Sequence, residues 1–326
     1  MIKNILNPDL YHGQNKRKSF FEGWYFKFVD YSEEHPLSII PGVFKGKDKR
    51  GFHSFIQILL GQTNQYFYNK YDMNLFSYLD SEFKLWIEDN YFSLNELKLN
   101  IDKKDIRLRG ELRFINLKKW PDSRINPGSM GFYNYLSFMQ CYSQVCAIDM
   151  SVEGNLNING ENIDFTKGKG YIEKNWGRAF PYAWIWVQCN CFKNSKGALS
   201  CSIGHIPFPL GSFRGFLIGF EACGEFYRFT TMNKSKISIV ERDSDVIIRA
   251  RNDNYLLTIK TKSIEGDFIL CNGPRDDKMM PLVQESVRGE VAVELKDICK
   301  NRILFCDIGS CAGIEYGGEK MKILNH

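Results

Sequence analysis

The feature that most limits what this chain can fold into is a succession of short runs rich in aromatic and β-branched residues. They fall at residues 20–29, 37–44, 52–60, 182–192, 198–206, 213–222, 225–232, 245–250, 255–261 and 266–271. Turn chemistry cuts them apart: Asn159-Gly160, Ser195-Lys196-Gly197, Cys223-Gly224 and Asn252-Asp253-Asn254. Asn-Gly and related pairs reach positive φ at low cost and so reverse a strand tightly. Helical periodicity is confined to two segments, 134–146 and 294–300, which are predicted as short helices. Many short strands with few helices predict an all-β chain, a sandwich or a barrel.

Several runs are apolar on both faces, as in Phe20-Phe21-Glu22-Gly23-Trp24-Tyr25-Phe26. One face is then expected to pack on a neighbouring layer and the other to line a core or cavity. The order of strands also repeats at an offset of about 160 residues. An aromatic strand (Gly23–Phe28), a short strand and a Gly-Phe strand from Gly51 are followed by Ala183–Gln188, a short strand and a Gly-Phe strand from Gly215. Glycine and asparagine cluster between 154 and 160, which predicts a boundary there, with one half at 1–160 and the other at 161–326.

Composition removes some classes of function. Net charge is +5, and Lys and Arg are interspersed with Asp and Glu. Nucleic-acid binders concentrate basic residues on one face, so no nucleic-acid partner is expected. The N-terminus lacks a signal-like apolar run, and polar residues break every window of transmembrane length. A cytoplasmic protein is expected, with at most peripheral membrane contact. The abundance of Lys, Asn and Ile suits an AT-rich, bacterial genome. The ten cysteines form no CxxC pair and no zinc spacing, so buried, reduced thiols are predicted, Cys189, Cys191, Cys201, Cys223, Cys271 and Cys306 among them. No dinucleotide fingerprint, phosphate loop or His-rich site is present, so no cofactor and no metal is expected.

The richest polar segment is Gly168–Pro181. Strand alternation puts Tyr171, Glu173 and Asn175 on one face and Ile172, Lys174 and Trp176 on the other. In the next strand Trp184, Trp186, Gln188 and Asn190 share a face. A Tyr–Glu–Asn row among aromatic residues is costly unless it is hydrogen-bonded or used. Either a satisfied strand register, with Glu173 paired to a neighbouring cation, or a functional row fits this spacing. His53 and Gln57 share a face of their strand and are candidates to orient a ligand hydroxyl. His205 is another candidate, or a core histidine.

The blocks Phe20–Lys27, Gly168–Gly177, Phe180-Pro181 and Trp184–Asn190 resemble the signatures of the tocopherol cyclase family, in order and spacing, over nearly the whole chain. Members of that family close the chromanol ring of vitamin E from a prenylated quinol. The resemblance implies a fold related to carotenoid hydratases and AttH-like proteins, with two lipocalin-like antiparallel β-barrel halves in tandem. The hydratases carry an aromatic–x–acid–x–x–Trp pattern whose acid protonates an alkene. Here it falls on Tyr171, Glu173 and Trp176, with Glu in place of Asp, one methylene longer.

The implied reaction is a cofactor-free, acid-initiated cyclisation or hydration of a prenyl double bond. Glu173 would be the proton donor, kept protonated by burial, with Tyr171 and Asn175 beside it. Trp176, Trp184, Trp186, Gln188, Asn190, His53, Gln57, His205, Glu22 and Trp24 would hold the substrate. Trp24 also resembles the structural tryptophan that closes one end of a lipocalin barrel. The implied partner is a hydrophobic small molecule: a prenylated phenol or quinol, an isoprenoid or a lipid. A lipocalin-like carrier that binds such a ligand without converting it is the other reading. A glycan-active sandwich is disfavoured, because no carboxylate pair is visible on one strand face.

Overall fold

The computed structural model describes residues 2–208, 211–242, 245–263, 266–319 and 323. It divides into two compact units, Met1–Phe180 with Asn272–Pro281, and Pro181–Cys271 with Leu282–His326. Two antiparallel sheets carry the fold. The first has strands β1 (Phe20–Val29), β2 (Leu37–Lys45), β3 (His53–Leu60), β4 (Gln65–Tyr71), β5 (Phe76–Tyr78), β6 (Lys84–Ile87), β7 (Asn90–Ser93), β8 (Glu96–Asp102), β9 (Arg107–Lys118), β10 (Cys141–Ile158), β11 (Glu161–Asp164) and β12 (Gly168–Gly177). The second has β13 (Ala183–Cys189), β14 (Cys191–Phe192), β15 (Gly197–Phe208), β16 (Gly211–Ala222), β17 (Glu225–Thr230), β18 (Lys236–Arg242), β19 (Asp245–Arg251), β20 (Tyr255–Lys262), β21 (Ile269–Arg275), β22 (Lys278–Asp297) and β23 (Arg302–Gly318).

The two sheets share one plan. The first runs β4-β3-β2-β1-β12-β10-β9-β8-β7-β6-β5, and the second β17-β16-β15-β13-β23-β22-β20-β19-β18. In each, the first strand in the chain pairs with the last. In each, the outer strands of the order are consecutive in sequence and joined through a 3-10 turn, Met73–Leu75 or Thr231–Asn233. These are two lipocalin-like antiparallel halves in tandem, the architecture expected above. The offset repeat therefore corresponds to β1-β2-β3 and β13-β15-β16, each a run of neighbouring strands. Residues 168–177, which a boundary at 160 assigns to the second half, form β12, paired on both sides with strands of the first sheet.

Each half has its own core. In the first, Trp24, Phe26 and Phe28 of β1 pack with Ile172 and Trp176 of β12 and with Ile39, Val43, Leu112 and Phe114. In the second, Ile185 and Val187 pack with Leu199, Cys201, Ile218, Phe220, Val291, Val293 and Ile314. Each such side chain contributes about 1.5–3 kcal/mol by leaving water.

Both predicted helices fail. Residues 131–135 form a 3-10 turn, and the chain from Cys141 onward is β10. The backbone of 141–145 pairs with β12, and long-range pairing overrides weak local periodicity. Residues 294–297 end β22, where Val291, Val293 and Leu295 alternate inward at the period of a strand. Asp297 then accepts from the Lys300 amide to close the turn. The strand expected at 266–271 is displaced and runs Ile269–Arg275. Cys223-Gly224 and Asn159-Gly160 turn as expected, at φ 56° and 80° and at 53° and 99°. Cys189, Cys191, Cys201 and Cys271 are buried thiols, but Cys223 and Cys306 are exposed, Cys223 because it occupies a hairpin turn. Among the described residues, no helix is long and apolar enough to cross a membrane.

Candidate active site

Strand alternation and register together define two faces of the first sheet. One is the core face. The other carries Phe21, Tyr25 and Lys27 of β1 and Tyr171, Glu173 and Asn175 of β12. It also carries Phe44 of β2 and His53, Phe55 and Gln57 of β3. Along β1 this second face changes from aromatic to polar. Phe21, Phe44 and Phe55 form a cluster at one end, with Phe180 and Tyr68 packed against it.

At the polar end Glu173 is 4 % exposed and Tyr171 fully buried. Side-chain donors from Tyr171, Ser143 and Asn175 converge on the Glu173 carboxylate. Tyr171 Oη donates to Oε2 at 2.5 Å. Ser143 Oγ and Asn175 Nδ2 donate to Oε1 at 3.0 and 3.2 Å. Tyr25 stands directly across from Glu173 in the β1–β12 register, and its hydroxyl bonds Ser38 Oγ at 2.8 Å. Burial first, and then the Glu173 charge, push the Cys141 thiol up, so it stays protonated and unreactive. The two hydroxyl groups matter for chemistry. Ser143 and Tyr171 can each donate to a carboxylate or accept from a carboxylic acid, so the row can hold Glu173 in either protonation state.

His53 and Gln57 share this face but lie three strands from β12, about 14 Å at the usual strand spacing. Both are already engaged. His53 Nδ1 lies 2.8 Å from the Gly51 carbonyl, so that nitrogen carries the proton, and Nε2 accepts from Tyr68 Oη at 2.8 Å. Burial holds the His53 pKa below its ordinary value, which keeps the ring neutral. Gln57 Oε1 accepts from the Tyr66 hydroxyl, which accepts in turn from the Asn272 amide at 2.9 Å.

Glu22, Trp24 and Trp176 lie on the opposite face, inside the core of the first half. There Glu22 Oε1 and Lys174 Nζ form an ion pair at 2.5 Å with both side chains fully buried. Lys174 also donates to the Leu10 carbonyl at 2.5 Å and sits 4.9 Å from the ring centroids of both Trp24 and Trp176. His12 Nδ1 lies 3.3 Å from Glu22, and its ring stacks on Trp176 at 4.1 Å. This cluster ties residues 9–12 to β1 and β12. Glu22, Lys174 and His12 are satisfied by one another and by the backbone carbonyls of Asn4, Asp9 and Leu10, which marks the cluster as structural.

In the second half, Trp184, Trp186 and Gln188 share the face of β13 that points away from that half's core. Trp186 stands across from Glu315, and Trp184 Nε1 donates to Glu315 Oε2 at 2.8 Å. Glu315 in turn stands across from Glu285, which is 1 % exposed. Strand pairing thus creates a carboxylate pair that no single strand displays. His205 falls in register with Ala183, on the core side and not with the tryptophans. Asn190 lies buried between β13 and β14. The Trp184 indole packs flat on Gly317, where a Cβ would fall 2.0 Å from the ring. Gly317→Ala is therefore expected to displace the indole and lower stability by about 1–3 kcal/mol. Urea denaturation checks this, and an unchanged midpoint would show that the ring has room to move.

Sequence reasoning does not single out Ser143, whose segment carries a weak helical period, nor Tyr25, Lys27 and Glu315, whose places depend on cross-strand register. For Lys27 a signal existed: it is the one charged residue in the otherwise apolar run Trp24–Val29. Among the described residues, no cluster of His, Cys, Asp and Glu could hold a metal ion.

Fold and site define a tandem lipocalin-like β protein with a buried carboxyl on a polar–aromatic sheet face. The chain belongs to the tocopherol cyclase-like family, whose model matches residues 91–318. A probable chloroplastic tocopherol cyclase of Oryza sativa subsp. japonica is 26% identical over 196 residues, which cover 58% of this chain and 42% of that protein. The chain thus spans about two fifths of the length of the curated relatives it matches. Kievitone hydratase from Nectria haematococca has the same fold, with a TM-score of 0.53 and 11% identity over 97% of this chain and 94% of that one. So does CghA in complex with Sch210972, with a TM-score of 0.55 and 9% identity over 92% and 89%.

Proposed function

We propose that this chain is a cyclase- or hydratase-type enzyme acting on a prenyl double bond of a hydrophobic phenol, quinol or isoprenoid, with Glu173 as the proton donor. The observation that carries the reading is a buried carboxyl ringed by two reversible hydroxyls on a face that turns aromatic along one strand. Family membership and a fold shared with a hydratase support it.

In the proposed cycle the Glu173 carboxyl gives its proton to the alkene, and the new C–H bond leaves a tertiary carbocation. A phenol oxygen attacks, the C–O bond closes the ring, and the phenol proton returns to the carboxylate. The net change is an isomerisation, redox-neutral and with the acid restored. If water attacks instead, its second proton returns to Glu173 and the product is an alcohol. Asn175 Nδ2 and the two hydroxyls stabilise the transient carboxylate. Tyr25 and Tyr171 offer ring faces to the cation, each worth about 0.5–2 kcal/mol. That is small beside the barrier, so folding of the prenyl chain and exclusion of water supply more.

The test is incubation of the protein with farnesyl hydroquinone in deuterated water. Cyclisation gives an isomer carrying one carbon-bound deuterium, and hydration adds one water to the mass. Quantitative recovery of unchanged ligand after long incubation would overturn the reading. A carrier role would then stand, since Glu173 is well hydrogen-bonded and such a carboxyl can also serve a purely binding face.

A further inference from the structure

We propose that Lys27 is the anchor for an oxygen atom of the ligand, and hence that the ligand bears an oxygen-containing head group rather than being a bare hydrocarbon. This rests on the functional reading above and narrows its substrate class. Lys27 is 1 % exposed, and its Nζ has no hydrogen-bond partner among the described residues. It is on the same sheet face as the proposed acid: it stands across from Tyr171, and Tyr25, two residues earlier, stands across from Glu173. Across β2 its neighbour is Ser38, whose hydroxyl is shared with Tyr25.

A buried ammonium without an acceptor is among the costliest features a fold can carry. Lys174, on the other face of the same sheet, shows how this chain treats a lysine with a structural task. It receives a carboxylate, two backbone carbonyls and two indole faces. Among the described residues, Lys27 receives none of these. Trp24 Nε1 and Tyr71 Oη are also buried without a partner among the described residues, but a neutral donor costs far less than an ammonium, so it is the missing acceptor of Lys27 that is assigned to the ligand. An ammonium has three donors and no acceptor, which selects an oxygen carrying full or partial negative charge: a phenol or phenolate, an enolate or a carboxylate. A pure polyene would leave Lys27 buried and unpaired.

The second half repeats the device. Gln188 lies two residues beyond Trp186, which faces Glu315 as Tyr25 faces Glu173. Gln188 is fully buried, and neither its Oε1 nor its Nε2 has a partner among the described residues.

Three probes with the same prenyl chain test the anchor: farnesyl hydroquinone, farnesoic acid and β-farnesene, titrated by quenching of tryptophan fluorescence. The wild-type protein is expected to bind an oxygen-bearing probe more tightly than β-farnesene, and Lys27→Met to weaken that probe by roughly 10- to 100-fold while leaving β-farnesene unchanged or tighter. Preference for farnesoic acid over the hydroquinone supports the anchor and makes a carboxylate its partner. Equal binding of all three by the wild type, binding of none, or an undiminished preference in Lys27→Met would overturn it. If Lys27→Met fails to fold, nitrogen-15 spectra of lysine-labelled wild-type protein decide. A Nζ resonance that moves with farnesyl hydroquinone or farnesoic acid, but not with β-farnesene, supports the anchor, and one that moves with neither overturns it. Selective, Lys27-dependent binding without any product would sink the catalytic reading and leave the anchor intact.

Discussion

Glu173→Gln is expected to lower turnover of a prenylated hydroquinone by about 10²–10⁴-fold, the span a positioned general acid contributes. The substitution keeps shape and removes only the transferable proton. Gln Oε1 can still accept from Ser143 and Asn175, and its amide can donate to Tyr171 if that hydroxyl turns. Folding and ligand binding should therefore be nearly unchanged, and the loss should fall in kcat. Full turnover by Glu173→Gln would remove Glu173 from the acid role. Glu173→Asp is a finer probe. It restores the acid of the hydratase pattern but retracts the carboxyl by one methylene from donors placed for Glu. An intermediate rate is expected from single-turnover measurements.

The second large effect lies on the other face of the same strands. Lys174→Met and Glu22→Gln are each expected to destabilise the protein by about 3–5 kcal/mol, because each strands the other member of a fully buried pair. Replacing both, as Glu22→Leu with Lys174→Met, should recover much of that loss, since no charge is then left in the core. Urea denaturation of the three variants checks this, and single-variant losses below about 1 kcal/mol would show that the pair is not structural. The cluster also predicts acid sensitivity. Burial, then Lys174, hold the His12 pKa below its ordinary 6.5. For Glu22, burial pushes the pKa up, but Lys174 and His12 outweigh it and hold the carboxyl below its ordinary 4.5. Both groups thus take up protons more readily in the unfolded chain. The His12 contribution is complete above about pH 6.5 and is lost as pH falls through its folded value. The Glu22 contribution is complete above about 4.5 and is lost below that. The denaturation midpoint should fall in that order on acidification, and a midpoint flat from pH 7 to 4 would contradict it.

Lys174 of the buried ion pair and the Glu173 row occupy alternate positions of β12, and that alternation is legible in the sequence. Ile172, Lys174 and Trp176 were assigned to one face and Tyr171, Glu173 and Asn175 to the other, and the register keeps them so. What alternation could not say is which face is the interior. Trp176 is expected among the ligand contacts and Trp24 either there or as a structural tryptophan; both sit in the core with Lys174 between them, which agrees with the structural reading of Trp24. Ser143 was hidden for another reason. Residues 134–146 have a weak helical period, and only pairing with β12 makes 141–145 a strand and brings the hydroxyl to Glu173.

By itself the sequence determined the all-β class, the positions of most strands in β1–β3 and β13–β20, the hairpin turns and the echo between the halves. These are local properties: period-two burial, β-branched and aromatic preference, and residues that tolerate positive φ. Only the tertiary structure decided that β12 joins β1 to β10 in the first sheet, that Glu285 stands across from Glu315, and that Lys27 is buried across from Tyr171 with no hydrogen-bond partner among the described residues. Those facts depend on which strands become neighbours and in what register. That choice is made by long-range hydrogen bonding and core packing, whose partners lie more than a hundred residues apart for the strand pair that carries the candidate site.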